Sequence, residues 1–295
     1  VAKTNTAISS IQSLRKRFYS ALPGKEQLSK LISETEVADQ VYNSNAIENS
    51  TLTYEETEKI LMQIELDRNV TIREVFEAKN LARVVGYIQS KATAEELNSD
   101  IILLLHQMLI SNIRDDIAGR FREEGEYVRV GNHIAADPKD IPELLRNALI
   151  QYQSSSDQNI VKRISQLHLE FENIHPFNDG NGRIGRVINN YLLIREGYVP
   201  IDIKFASRKQ YYDAFAEYDV GRKTKIMEGI LARSLTNSYH KRLAYLEGKK
   251  IITLVEYSRL NSRSHSGLIN MANRQTIEAF LEKGVWKIAE DFKVR

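Results

Sequence analysis

A mainly α-helical protein is expected from this 295-residue sequence on three observations. Apolar residues recur at helical spacing along most of the chain, as the core-facing stripe of a helix requires. Prolines number only five. Leu, Ile, Ala, Glu, Lys and Gln are abundant, and most of these favour helix over sheet.

The elements follow in order. "AISSIQSLRKRFYSAL" sets Ile8, Ile11, Leu14 and Phe18 on one face and stops near Pro23-Gly24. Residues 29–50 place Val37, Val41 and Ile47 in a helical stretch. Thr53 followed by Glu56 has the spacing of a capping box, in which each residue satisfies a backbone N–H of the other. Further helices are expected over residues 72–92, 101–110, 141–154, 160–174 and 183–195, with a long helical run from about Lys209. Between them, "GRFREEGEYVRVGNHIAADP" is punctuated by glycine and alternates at Tyr127 to Val130. It reads as an exposed β-hairpin flap, with an irregular loop as the alternative. Composition shifts near residue 250, and "HSGLINMANRQTIEAFLEKGVWKI" reads as helix, turn and a second helix from about Arg274, a helix-turn-helix-like module. The expected division is 1–95, 96–245 and 251–295. No repeat or low-complexity segment is present.

Composition narrows the function classes. With 42% apolar and 27% charged residues, the chain matches ordinary soluble globular proteins. The formal net charge of +2 is too small to imply a nucleic-acid or membrane partner. The absence of cysteine excludes disulfides and thiol catalysis and argues against zinc. No apolar run reaches the ~18 residues of a membrane helix, and the first 25 residues lack a signal-peptide core. A cytoplasmic protein without a membrane partner is expected.

The densest chemistry lies in "HPFNDGNGRIGR", residues 175–186. Pro176 disfavours helical geometry in the residue before it, so His175 should close the preceding helix. The turn then enters another helix, where unpaired N–H groups point outward. Gly180 and Gly182 permit positive φ and close approach to the main chain, and together these features make an anion nest. Arg183 and Arg186, three apart, share a helical face and suit phosphate oxygens. Asp179 is a hard oxygen ligand of the kind magnesium takes beside a polyphosphate. His175 is a base with its pKa near neutrality. The set fits phosphoryl or nucleotidyl transfer. No Gly-Lys-Ser/Thr follows, so this is not the nucleotide-binding lysine loop.

These residues resemble, without departure, the Fic family signature His-Pro-Phe-x-Asp/Asn-Gly-Asn-Gly-Arg-x-x-Arg. "LHLEFENIHPF" and "AGRFREEGEYVRVG" extend the likeness over roughly residues 100 to 215. The resemblance implies a Fic-type helical bundle that transfers AMP from ATP, with Mg2+, to a hydroxyl of a target protein. By resemblance, His175 deprotonates that hydroxyl and Asp179 binds magnesium between the α and β phosphates. Gly180, Asn181 and Gly182 cradle phosphates, with Asn181 on the α-phosphate. Arg183 holds the polyphosphate, Arg186 pairs with the γ-phosphate, and Phe177 anchors the loop in the core. The flap, Glu126, Tyr127, Val128, Arg129 and Val130, pairs with an extended segment of the target.

"SNAIEN" resembles the family's inhibitory motif, Ser/Thr-x-x-x-Glu-Gly/Asn, through Ser44, Glu48 and Asn49. The resemblance implies that Glu48 occupies Arg186 in place of the γ-phosphate. Other readings stay open. His168, Glu172 and His175 have the spacing of a metal triad, although Leu167 and Leu169 beside His168 favour a structural histidine. Tyr211 or Tyr212 contacts adenine or packs in the core. Alternatives for the whole chain are a regulatory or DNA-binding protein with a weakly active site, or an enzyme that removes AMP or transfers another phosphate-containing group. The target, which includes the chain itself as a candidate, and any homo-oligomer are not readable from the sequence.

Overall fold

The computed structural model describes residues 2–130 and 133–293, with the side chains of residues 2–9 excluded. It is predominantly helical and divides into two compact units.

The larger unit spans Gln40–Ile230. It includes most of α3 (Val37–Ile47), then α4 (Tyr54–Leu61), α5 (Ile72–Lys91) and α6 (Ser99–Ile110). A two-stranded hairpin follows, β1 (Arg129–Val130) with β2 (His133–Ile134), then α7 (Ile141–Ser154), α8 (Ile160–Ile174), α9 (Asn181–Arg195) and α10 (Arg208–Gly221). The expected capping box at Thr53–Glu56 is present. A second one, Thr71–Glu74, starts α5. Helix α9 packs against α5, α6 and α8. Nearly its whole circumference is buried, including Ile184, Val187, Ile188, Tyr191 and Leu192, the mark of a helix surrounded by others. Its polar residues are therefore held inside the unit, which is how Arg186 comes to be buried.

The flap is a hairpin, as expected, although its strands are shorter than the alternation at residues 127–130 implies. Val130 pairs with His133 and Arg129 with Ile134. Beyond the ladder, Ala135 N–H donates to Val128 O at 3.0 Å.

The second unit comprises the described residues of 1–39 and 231–295. It contains α1 (Ala2–Ala21), α2 (Glu26–Thr35) and most of α11 (Lys225–Leu246). After these come β3 (Ile251–Thr253), α12 (Leu254–Leu260), α13 (His265–Asn273), β4 (Phe280–Glu282) and β5 (Val285–Ala289). Ile11, Leu14 and Phe18 are buried as the periodicity of α1 requires; the side chain of Ile8 lies outside the described residues. Buried Arg242 is satisfied by Glu36, at 2.5 Å to Oε2, consistent with the rule that interior charges come paired.

The C-terminal module departs from expectation in one respect. It has two helices joined by a turn, but they are α12 and α13, and the helix expected from Arg274 is instead the hairpin β4–β5. Glu282 faces Val285, and the turn residues Lys283 and Gly284 both have positive φ, at 48° and 75°. That is the geometry of a tight two-residue hairpin, and Val-Trp-Lys-Ile beyond it suits a strand better than a helix.

Candidate active site

His175 ends α8 in the left-handed conformation, φ 52° and ψ 62°. This is uncommon for a residue with a side chain and is held here by surrounding bonds. Its N–H donates to Phe171 O at 2.9 Å, and its carbonyl accepts from Arg122 Nε at 2.8 Å. The loop continues with main-chain acceptors engaged at Pro176, Phe177 and Asp179. Pro176 O accepts from Arg122 N–H at 2.9 Å. Asn181 closes the turn with two bonds, its Oδ1 accepting from Phe177 N–H and its Nδ2 donating to Phe177 O. Asp179 O meets His106 Nε2 at 3.0 Å. Phe177 is fully buried, as the resemblance implies, and lies flat on His106 at 3.7 Å between ring centroids.

His106 and Arg122 carry no signal in the sequence. His106 is nearly enclosed; burial pushes its pKa down to about 4, so the ring is neutral. Gly119 N–H donates to its Nδ1 at 3.1 Å, which fixes the proton on Nε2, facing Asp179 O. Arg122 donates to five carbonyls, those of Glu126, Ala136, Ile174 and His175 through its side chain and that of Pro176 through its N–H. It is the tie between flap and loop. A charged side chain reading only carbonyls has no sequence periodicity to reveal it.

Gly180, at φ 85°, is the left-handed residue that precedes α9, and the first helical bond runs from Ile184 N–H to Gly180 O. The amides of Asn181, Gly182 and Arg183 therefore have no intrahelical acceptor and give this helix end its affinity for anions. The Asn181 side chain is committed to Phe177, which leaves its main-chain N–H for a ligand. Gly182 is helical instead of left-handed, and its need is for clearance. A Cβ there lies 2.1 Å from Glu48 Oε1 and 3.1 Å from Arg186 Nη1.

The two arginines of α9 have different partners. Arg183 reaches Asp179 at 3.0 Å and Glu77 at 3.3 Å. Arg186 donates from Nε to Ser44 Oγ at 2.9 Å, from Nη2 to Ser44 O at 2.9 Å and to Glu48 Oε1 at 2.8 Å, and from Nη1 to Tyr211 OH at 3.2 Å. All three nitrogens of its guanidinium are engaged. Asn49 ends this segment at φ 70°, a conformation open chiefly to Gly and Asn, and its Oδ1 accepts from Arg208 at 2.6 Å.

Asp179 also meets Arg73 at 2.7 Å. Burial opposes its charge, but Arg183 and Arg73 hold its carboxyl below the usual range. No group of three or more metal-ligating side chains occurs among the described residues. One ionised carboxylate fits a cation that arrives with phosphate ligands of its own and does not fit a cage made of protein alone. The alternative of a His168–Glu172–His175 metal site is not formed: no group of three such side chains that could hold a metal occurs among the described residues, and His168 Nε2 is bonded to Tyr211 OH at 2.8 Å.

His175, Glu48, Gly182, Glu172, Tyr211 and Val130 border one cavity of about 510 Å³, within the range of small-ligand sites. Tyr212 also lines it, while the Tyr211 hydroxyl serves Arg186 and His168. Burial brings the His175 pKa down to about 4, so at neutral pH its imidazole is unprotonated and ready to accept a proton. Beneath it, burial raises Glu172 to about 8, with the charge of Glu48 adding to the effect. Of the flap residues, Tyr127 is 65% exposed and Val130 39%. Glu126 instead holds Arg120, with both carboxylate oxygens within 2.9 Å of it.

Residues 96–193 match the family model described as Fic/DOC family. The chain is 30% identical over 208 residues to Protein adenylyltransferase Fic of Nematostella vectensis, covering 69% of this chain and 48% of that protein. It is 29% identical over 215 residues to the Drosophila melanogaster protein of the same name, covering 68% and 43%. The chain thus spans about half the length of the curated relatives it matches. Its fold is similar to a Fic domain-containing signaling protein from Bacteroides thetaiotaomicron, with a TM-score of 0.73 at 24% identity over 81% of this chain and 97% of the other. It is also similar to a Fic family protein from Desulfovibrio desulfuricans, with a TM-score of 0.65 at 19% identity over 98% and 97%. The chain carries a domain of the Fic/DOC family at residues 96–193.

Proposed function

We propose that this protein transfers AMP from ATP to a hydroxyl side chain of a protein and that Glu48 restrains it at rest. The observation that carries the reading is the convergence of a neutral base, His175, and a helix N-terminus on one cavity, beside a buried arginine engaged by Glu48. The names of the curated relatives support the same activity.

In this reading the target hydroxyl lies against His175, which takes its proton as the oxygen attacks the α-phosphorus. The bond from the α-phosphorus to the bridging oxygen of the pyrophosphate breaks, and pyrophosphate leaves. The amides of Asn181, Gly182 and Arg183 face the phosphates, with charge from Arg183. Asp179 would hold a magnesium ion that accompanies ATP and offsets phosphate charge. For that, the Arg73 and Arg183 contacts on its carboxylate must loosen. The γ-phosphate and the Glu48 carboxylate are alternative partners for Arg186. With Glu48 in place the nucleotide is held out of line, and a misplacement of about 1 Å is enough to cost roughly a hundredfold in rate. Residues 1–95 supply the restraint, 96–245 the transfer site and 251–295 a separate module, a functional division that cuts across the packing units.

The test is labelling of the protein and of candidate targets with α-labelled against γ-labelled ATP, using the Glu48→Gly variant. Label is expected from the α position alone and is expected to vanish in Glu48→Gly/His175→Ala. Label from the γ position alone overturns AMP transfer in favour of kinase chemistry.

A further inference from the structure

The C-terminal module runs helix α11, strand β3, helices α12 and α13, then the hairpin β4–β5, with strand order β3-β5-β4. Leu254, Tyr257, Leu268, Ala272, Ile277 and Ile288 form its core. This is the layout of a helix-turn-helix backed by a three-stranded sheet whose hairpin turn, Lys283–Gly284, projects as a wing. Leu268 and Ala272 turn α13 inward, which leaves Ser266, Asn270 and Asn273 exposed at helical spacing on its other side.

Charge on this module is segregated, and a total over residues 251–295 conceals it. Apart from Glu256, which lies on α12 and acts electrostatically on Arg259, every acid in that span is paired with a base outside residues 257–277. Glu256 caps the start of α12. Glu278 holds Arg17, Glu282 holds Lys287 and Lys241, Glu290 holds Lys250, and Asp291 holds Lys249. By contrast, residues 257–277 contain three arginines, one histidine and no Asp or Glu. Arg259, Arg263, His265 and Arg274 are exposed and make no ion pair among the described residues. Basic side chains thus stand at both ends of a helix whose open face carries only serine and asparagine.

We infer that the α12–α13 face is a docking surface for duplex DNA. Arginines outside any ion pair suit phosphates, and their attraction needs no particular sequence. Asparagine and serine are among the side chains that bond to base edges in the major groove, asparagine pairing with adenine through two bonds. An exposed protein-binding face would instead be expected to present apolar or aromatic anchors at its centre; α13 has no exposed large apolar residue, and the exposed ones nearby, Val255 and Leu260, lie on α12. The inference rests on the module alone and stands or falls separately from AMP transfer.

The experiment is fluorescence anisotropy of a labelled mixed-sequence DNA duplex titrated with the full chain at several salt concentrations. Binding is expected at Kd about 10⁻⁴ to 10⁻⁶ M, with log K falling linearly as log salt rises. Arg259→Glu with Arg263→Glu should weaken it at least tenfold, and Arg263→Ala alone should lessen the salt slope by about 0.9. Lys250→Glu, on the paired face, should change neither. Trp286, the single tryptophan of the chain, lies in β5 and reports by its fluorescence that the variants keep the module folded. Absence of salt-dependent binding, equal loss in Lys250→Glu, or equally tight binding of duplex RNA overturns the assignment.

Discussion

The loop at residues 175–186 and the flap at residues 119–135 border the same cavity and share Arg122, but are otherwise held differently. In the loop, buried groups bond to one another: Asn181 to Phe177, His106 to Asp179 O, Arg122 to His175 O. The flap has a two-residue ladder, an ion pair at its base between Arg120 and Glu126, and exposed apolar side chains at its edge, with Ile134 at 73%. Under the proposed function, with the flap edge taking an extended segment of the target, the difference separates two tasks. A reacting geometry must be fixed before the substrate arrives, whereas a strand edge that accepts a variable segment needs open backbone and little else.

The sharpest way to break this comparison is to remove the side chain common to both regions. Arg122→Ala leaves buried carbonyls of the flap and loop without a donor. At about 1–3 kcal/mol for each unsatisfied buried group, we expect a loss of at least about 3 kcal/mol in a denaturant melt. Labelling should fall with it. A loss below about 0.5 kcal/mol, the range of an ordinary surface change, contradicts the assignment.

A smaller effect concerns pH and sharpens the loop side. The pKa values of His106, His168 and His175 are held down to about 4, 3 and 4 by burial, from an ordinary value near 6.5. Below 6.5 the unfolded chain therefore binds more protons, and their contribution to stability is lost as pH falls through that window. Glu172 has the opposite sign. Its carboxyl is raised from 4.5 to about 8, so the folded state binds the extra proton and stability falls as pH rises from 4.5 to 8. Glu172→Gln should flatten the decline between pH 6.5 and 8 in thermal melts. An unchanged decline assigns it to another group.

The smallest effect is expected at the flap edge. Ile134→Ser should leave the melt within about 0.5 kcal/mol of wild type and alter labelling of an external target only a few-fold. A melt shifted as far as that of Arg122→Ala would mean that the flap is built like the loop.

The loop is legible in the sequence because its chemistry is concentrated in adjacent residues, and Pro176 and Gly180 mark the chain's path through it. Glu48 and Arg186 are legible as a pair only through resemblance; 138 positions separate them, and no periodicity joins them. His106 and Arg122 stay hidden because each acts on main-chain atoms brought close by the fold. The C-terminal hairpin reads as helix because Ile277, Phe280 and Leu281 also satisfy a helical spacing, and the turn at Lys283–Gly284 decides between the two.

The central claim is that Arg186 is withheld from the nucleotide by Glu48, and label transfer from α-labelled ATP tests it most directly. Rates are compared for wild type, Glu48→Gly and Glu48→Gly/Arg186→Ala. The account predicts that Glu48→Gly gains about a hundredfold and that the added Arg186→Ala erases the gain. Equal labelling by wild type and Glu48→Gly, or a gain that survives the loss of Arg186, would contradict it.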